Sequence, residues 1–129
     1  MSDAIRIAIA GASGRMGRML IEAVTAASDA RLSAALDVAD SPALGQDATA
    51  YLGRHSGVII GSDVEAAAAA SDVLIDFTRP EGTLAHLAAC RRHGTRIVIG
   101  TTGFSDEQKR QIAEHAQHIG CLLYTSPSP

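Results

Sequence analysis

The sequence has few cysteines, few aromatic residues, no excess of positive charge and no long apolar run, and most of these shortages exclude a class of protein. Only two cysteines, Cys90 and Cys121, occur in 129 residues, and they form neither a CxxC pair nor another metal-binding spacing. We interpret both as buried thiols in a reducing compartment. The sequence therefore predicts neither a bound metal nor a fold held by disulfides.

The charge balance argues against nucleic acid as a partner. The 11 basic and 14 acidic residues give a net charge of -3, and the basic residues are scattered along the chain. No apolar run reaches the roughly 18 residues of a membrane-spanning helix. The first residues also lack the basic and apolar regions of a signal peptide. We expect a cytoplasmic protein with no nucleic-acid or membrane partner.

The most informative segment runs from a β-branched stretch into a cluster of glycines. Ile5, Ile7 and Ile9 alternate with small residues, which predicts a strand covered on both faces. GASGRMG follows over residues 11–17, and apolar residues then recur at helical spacing. The predicted apolar positions of this helix are Met16, Met19, Leu20, Ala23 and Val24. Glycines permit a tight turn close to an anion, and a helix N-terminus attracts that anion, so the segment predicts a site for a dinucleotide's pyrophosphate.

An acidic residue supports this interpretation. Asp37 lies twenty residues after Gly17 and follows the predicted strand 31–36, where its carboxylate can accept hydrogen bonds from an adenosine ribose. The alternative is that Asp37 only begins a solvated loop over 37–47. The spacing GxxGxxG also differs from the commoner GxGxxG, and turn glycines alone could produce it.

The rest of the chain alternates strands with helices. The pattern predicts strands over 57–60, 72–77, 96–100 and around Cys121, and helices over 63–70, from Pro80 to Gly94, and from Ser105 to Gly120. We therefore predict an α/β fold with a Rossmann-like, doubly wound parallel sheet in a single domain. Four turns should meet at the carboxyl edge of that sheet: 11–17, Asp37, Thr78–Arg79 and Gly100–Gly103. The last of these could equally be a simple connection whose threonines compete for a helix cap.

The histidines offer no catalytic group. All but His55 fall on predicted helices or at their ends, away from the predicted edge, and we expect all five to be surface residues. They are His55, His86, His93, His115 and His118.

Three motifs in this order resemble the N-terminal domain of the 4-hydroxy-tetrahydrodipicolinate reductases, the dihydrodipicolinate reductases of bacterial lysine and diaminopimelate synthesis. They are GASGRMG over 11–17, DFTRPEG over 76–82 and VIGTTGF over 98–104, within a resemblance that spans residues 5–122. It implies a cytoplasmic enzyme that transfers hydride from NADH or NADPH to a cyclic dicarboxylate. For the full-length family it also implies a homotetramer.

The resemblance also implies roles for particular residues. The turn that would hold the pyrophosphate consists of Gly11, Ala12, Ser13, Gly14, Arg15 and Met16. Asp37 would bind the adenosine ribose, while Gly100, Thr101 and Thr102 would serve the nicotinamide side. Phe77, Thr78 and Arg79 would line the cleft near the nicotinamide ribose.

The sequence departs from the family in two places. Val38 follows Asp37 where some members have an arginine that can pair with a 2′-phosphate, so we expect NADH to be preferred over NADPH unless Arg15 reaches that phosphate. After Leu123 the family continues into a second domain, which carries its general-acid histidine and a neighbouring lysine. We expect residues 1–123 to form the dinucleotide-binding domain and 124–129 to be a linker or non-native tail. With no catalytic residue and no catalytic domain, this chain should bind coenzyme without turnover.

Two other functions fit the glycine motif less well. A short-chain-dehydrogenase-like epimerase or reductase requires a Tyr-x-x-x-Lys pair, but neither Tyr51 nor Tyr124 is followed by lysine at that spacing. A non-catalytic redox-sensing module that binds NAD(H) requires an exposed apolar patch, which the sequence does not indicate.

Overall fold

The structure is a computed structural model that describes residues 4–117 and the backbone of 121–123. The strands are β1 (Ile5–Ala10), β2 (Ala30–Leu36), β3 (Ile60–Gly61), β4 (Val73–Asp76), β5 (Arg96–Ile99) and β6 (Cys121–Leu123). The helices are α1 (Arg15–Ala26), α2 (Val64–Ala69), α3 (Pro80–His93) and α4 (Asp106–Ala116), with a short 3₁₀ turn at Ala50–Leu52.

The six strands form one sheet in the order β3-β2-β1-β4-β5-β6, and every neighbouring pair is parallel. The chain starts in the middle of the sheet at β1, proceeds outward to β3, and then returns to β4 on the other side of β1. The order of strands therefore reverses between β1 and β4. In sheets of this kind a crevice opens at that point, outside the carboxyl ends of the strands. The predicted doubly wound fold is confirmed.

Apolar side chains cover both faces of the sheet. One cluster joins Ile9 of β1 to Ile21 and Val24 of α1, and the other joins Leu74 of β4 to Leu87 of α3. β1 contributes to both because Ala8, Ile9 and Ala10 are fully buried. Cys90 is also fully buried, as predicted. None of the helices in the described ranges has the length and apolar character needed to span a lipid bilayer.

The buried face of α1 agrees only in part with the predicted apolar positions: Val24 is buried and Leu20 packs against the core, but the other three are exposed. Met16 and Met19 are 44% and 57% exposed, and Ala23 is exposed as well. The helix buries Gly17, Ile21 and Val24. Those positions recur at intervals of four and three residues, so they form one stripe. That stripe faces the sheet because Gly17 lets α1 pack directly on the backbone of the turn at Gly11.

The predicted strand over 57–60 is also wrong in its bounds. Only Ile60 and Gly61 pair with β2. Residues just before them pair antiparallel with 46–48 instead: Ala48 N–H donates to the Val58 carbonyl at 2.8 Å, and Asp47 forms a bridge with Ile59. The Asp47 carboxylate organises this loop by accepting hydrogen bonds from Thr49, Ser56 and Gly57 backbone N–H groups. Backbone hydrogen bonds from Thr49 and Ser56 are the main reason that the pKa of Asp47 lies below its usual value.

Several predicted helix ends are confirmed. α3 begins at Pro80, and Gly94 caps its carboxyl end with a φ of 69°, in the left-handed region that glycine adopts without strain. Ser105 and Gln108 form the reciprocal capping box of α4. The predicted stop at Gly120 and the tail over 124–129 lie outside the described residues.

We predict that Gly17→Ala destabilises the domain by about 1–3 kcal/mol, because its Cβ would overlap the Gly11 carbonyl in a turn with no room to relax. Alanine normally stabilises a helix relative to glycine by roughly 0.5–1 kcal/mol. A loss of stability in Gly17→Ala would therefore indicate the close contact with Gly11. Urea unfolding measures the change in stability.

Gly61→Ala is the matched control, since a Cβ there meets nothing within 4 Å. We expect it to change stability by less than about 1 kcal/mol. A Gly17→Ala variant as stable as the wild type would contradict the close packing.

Candidate functional site

The glycine turn lies at the point where the strand order reverses. Gly11 has a φ of 89°, and a Cβ on it would lie 2.5 Å from the Phe77 carbonyl oxygen, at the end of β4. The N–H groups of Gly11 and Ala12 both donate to the Leu36 carbonyl at the end of β2. The turn therefore packs its backbone against the ends of two other strands, and only glycine fits at its closest contact.

No side chain in the described part of the protein caps the N-terminus of α1, which follows the glycine turn. Gly14 is the N-cap residue and supplies no side-chain cap, and no acidic side chain lies in the first helical turn. The first N–H groups of a helix have no partner within it, and together with the helix dipole they favour an anion. A pyrophosphate would accept hydrogen bonds from these N–H groups and would carry the negative charge that the dipole favours.

Asp37 is held at the edge of the same turn. It is half-buried, and its carboxylate accepts hydrogen bonds from the Ser13 hydroxyl, from Ser13 N–H at 3.1 Å and from Val38 N–H at 2.8 Å. An ionised carboxylate has about four acceptor positions. The carboxylate thus orients the turn and retains capacity for a ribose hydroxyl.

A cleft of about 610 Å³ connects three of the four predicted turns. The predicted residues that line it are Gly11, Ser13, Gly14, Asp37, Phe77, Thr78 and Arg79. Ala12 is buried beneath the turn, and Arg15 and Met16 are exposed outside the lining. Neither Arg15 nor Arg79 forms an ion pair with any residue in the described ranges. Both guanidinium groups are therefore available to an anionic ligand.

The fourth turn reaches the cleft indirectly. Thr101 is 5% exposed, and its hydroxyl donates to the Asp76 carboxylate at 2.8 Å while accepting from Thr78 N–H at 2.9 Å. A Cβ on Gly100 would overlap the ring of Phe77, so this glycine makes room for the aromatic side chain. Thr102 is exposed. The Thr101 side chain is thus committed to the protein, which leaves only its backbone for a ligand.

Sequence reasoning missed the group that ties these turns together. Asp76, at the end of β4, is fully buried and accepts hydrogen bonds from three hydroxyls and one imidazole. The donors are Thr78, Thr83, His86 and Thr101, and the His86 Nδ1 lies 2.7 Å from Asp76 Oδ1. Two polar residues three apart on the buried face of α3, Thr83 and His86, were the available signal.

The prediction that all five histidines are surface residues is therefore wrong for His86, which is only 7% exposed. It faces inward because the buried Asp76 carboxylate requires a partner. His55 and His93 are exposed, as expected, and His115 is half-buried. His118 lies outside the described residues.

Two opposing effects act on the buried carboxylate. Burial is the largest influence and raises the pKa of Asp76, but the hydrogen bonds that its carboxylate accepts from His86, Thr83 and Thr78 outweigh burial and hold that pKa below its usual value. Asp76 is thus an ionised acceptor that joins β4, α3 and the turn after β5. No group of three or more potential metal-ligating side chains lies together in the described part of the chain.

Comparisons with known proteins identify the family. The family described as "Dihydrodipicolinate reductase, N-terminus" matches residues 5–126. A 4-hydroxy-tetrahydrodipicolinate reductase of Burkholderia pseudomallei (strain 1710b) is 64% identical over 126 residues, which cover 98% of this chain and 47% of that protein. The corresponding protein of Cupriavidus pinatubonensis is 59% identical over 124 residues, covering 96% of this chain and 47% of that protein.

A solved structure supports the same relationship. The dipicolinate-bound dihydrodipicolinate reductase from Paenisporosarcina sp. TG-14 superposes with a TM-score of 0.75 at 30% identity, covering 95% of this chain and 48% of that one. The chain spans about half the length of the curated relatives it matches. From its sequence motifs, its fold and these matches, the chain belongs to the dihydrodipicolinate reductase family, matching that family's N-terminal region.

Proposed function

We propose that this chain is the coenzyme-binding domain of a 4-hydroxy-tetrahydrodipicolinate reductase. The observation that carries the proposal is the glycine turn, whose backbone packs against β2 and β4 and opens the uncapped start of α1 toward a cleft with Asp37 at its edge. Family membership also favours this function over the short-chain-dehydrogenase-like alternative, whose Tyr-x-x-x-Lys pair is missing from the sequence.

The cleft offers suitable groups for the pyrophosphate and for both riboses of a nicotinamide dinucleotide. The pyrophosphate would lie against the N–H groups at the start of α1, and the adenosine ribose would donate to Asp37. Phe77 and Arg79 line the same cleft after β4 and would border the nicotinamide ribose. When bound, the coenzyme supplies the hydride, and the protein's part is to position it.

The activity of the whole protein follows from the same proposal. It would reduce a small cyclic dicarboxylate in the cytoplasm, as a homotetramer, with its proton donor and substrate-binding groups supplied by a second domain. The cleft described above contains no residue that we assign to proton transfer.

We predict that Asp37→Ala weakens NADH binding roughly tenfold or more, because hydrogen bonds to a charged group contribute about 1.5–3 kcal/mol. Fluorescence titration of the 129-residue chain with NADH measures the change. Asp29→Ala removes the same charge from an exposed position outside the cleft and should bind NADH like the wild type. Equal affinities for the wild type and Asp37→Ala would contradict the role of Asp37, and a wild-type chain that does not bind NADH would contradict the proposal itself.

We further predict that NADH binds more tightly than NADPH. Asp37, Asp40 and Glu81 line the cleft, and Arg79 is the one cation among the described residues of that lining. Val38 beside Asp37 is 58% exposed and uncharged. An added 2′-phosphate would therefore meet mostly negative charge. Isothermal titration with both coenzymes tests this, and Val38→Arg should raise NADPH affinity selectively.

Arg15 provides the check on that prediction. If its guanidinium reaches the 2′-phosphate, NADPH will bind at least as tightly as NADH, and Arg15→Ala will remove that binding. This result would show the predicted preference to be wrong.

A further inference from the structure

The cleft continues into a second, smaller cavity of about 250 Å³. Five residues line both spaces: Gly11, Asp37, Val38, Thr78 and Gly82. The start of α1 and the Phe77–Arg79 turn border the larger space, whereas the smaller one extends over the ends of β2 and β3 toward α3. Asp37 thus stands at the junction of the two.

The two cavities would hold different parts of a bound dinucleotide. If the proposed function holds, the pyrophosphate lies at the glycine turn in the larger space, and the adenosine ribose lies at Asp37. The base attached to that ribose then extends into the smaller cavity. Apolar side chains, Val38, Val64 and Ala85 among them, form much of its wall, which suits the faces of a purine.

Among the described residues, His86 is the one imidazole in the wall of this cavity. Its Nδ1 is hydrogen-bonded to Asp76. Its Cε1 faces Gly82, which also lines the cavity. Nε2 has no hydrogen-bond partner among the described residues, yet it is not fully enclosed by them. The polar atom of His86 that remains for a ligand is therefore Nε2.

The hydrogen bond to Asp76 determines whether Nε2 donates or accepts. An ionised carboxylate only accepts, so Nδ1 must carry the proton, and in the neutral imidazole Nε2 is then an acceptor. The exocyclic amino group of adenine is a donor. We propose that His86, oriented by Asp76, recognises the adenine base of the coenzyme by accepting a hydrogen bond from that amino group. This inference rests on the proposed coenzyme site and adds to it a residue that selects the base.

The test compares NADH with its reduced hypoxanthine analogue, in which a carbonyl replaces the amino group. The 129-residue chain is titrated with both at mildly alkaline pH. We expect the wild type to bind NADH about tenfold more tightly, the effect of leaving a buried acceptor without its donor. His86→Phe keeps a flat ring but no acceptor, and it should bind the two dinucleotides with affinities within about twofold.

Thr83→Ala is the matched control. Thr83 donates to the same carboxylate from the same helix and is fully buried, but it does not line the cavity. The preference for NADH should survive in this variant. Reduced nicotinamide mononucleotide, which lacks adenosine, should bind the wild type and His86→Phe equally, which shows that the variant is folded around the nicotinamide side.

If His86→Phe does not fold, spectra of the wild type test whether His86 contacts the base. In ¹⁵N-histidine spectra, the Nε2 resonance of His86 should shift on binding NADH and remain in place with the mononucleotide. Equal binding of NADH and the hypoxanthine analogue by the wild type would overturn base recognition by His86 while leaving the coenzyme site intact. A wild-type chain that binds neither dinucleotide would instead overturn the proposed function.

Discussion

The close approach of three backbone segments is the constraint on which the candidate site depends. The turn at Gly11 contacts the carbonyl after β4, and Gly17 of α1 packs on that same turn. With side chains at these positions, α1 would have to move away from the ends of the strands. The N–H groups at its start would then no longer face the crevice between β1 and β4. The position of these N–H groups at the crevice thus follows from the absence of two Cβ atoms.

A second constraint holds the opposite side of the crevice. Asp76 gathers Thr78, Thr83, His86 and Thr101 around a fully buried carboxylate, so that β4, α3 and the turn after β5 share one acceptor. A buried charge is costly unless its hydrogen bonds are made. Hydrogen bonds to Asp76 therefore join these segments on one side of the crevice.

The two constraints meet at Thr78. Its hydroxyl donates to Asp76, its N–H donates to Thr101, and the residue itself lines both cavities beside Gly11. Apolar packing supports both sides from behind, through Ile21 and Val24 of α1 and Leu87 of α3. The cleft thus combines a closely packed glycine turn on one side with a polar hydrogen-bond network on the other.

Local sequence signals were sufficient for much of this fold. Alternating isoleucines, a proline at the start of α3, a glycine at its end and the Ser105 capping box each act within a few residues, so the strands, helices and their ends could be predicted. The antiparallel pairing of 58–60 with 46–48 could not be predicted, because it depends on where the Asp47 carboxylate finds its donors. The exposure of Met16 and Met19 likewise depends on which face of α1 meets the sheet.

By itself, the sequence determined the order of elements, the glycine turn and the position of Asp37, because spacing along the chain encodes them. Only the tertiary structure decided that Thr101 faces Asp76 rather than the cleft and that His86 is buried against the same carboxylate. Residues 76, 86 and 101 come from three different elements, and hydrogen bonds between distant elements leave no periodicity in the sequence. Such contacts exist only once the sheet has brought the ends of β4 and β5 together.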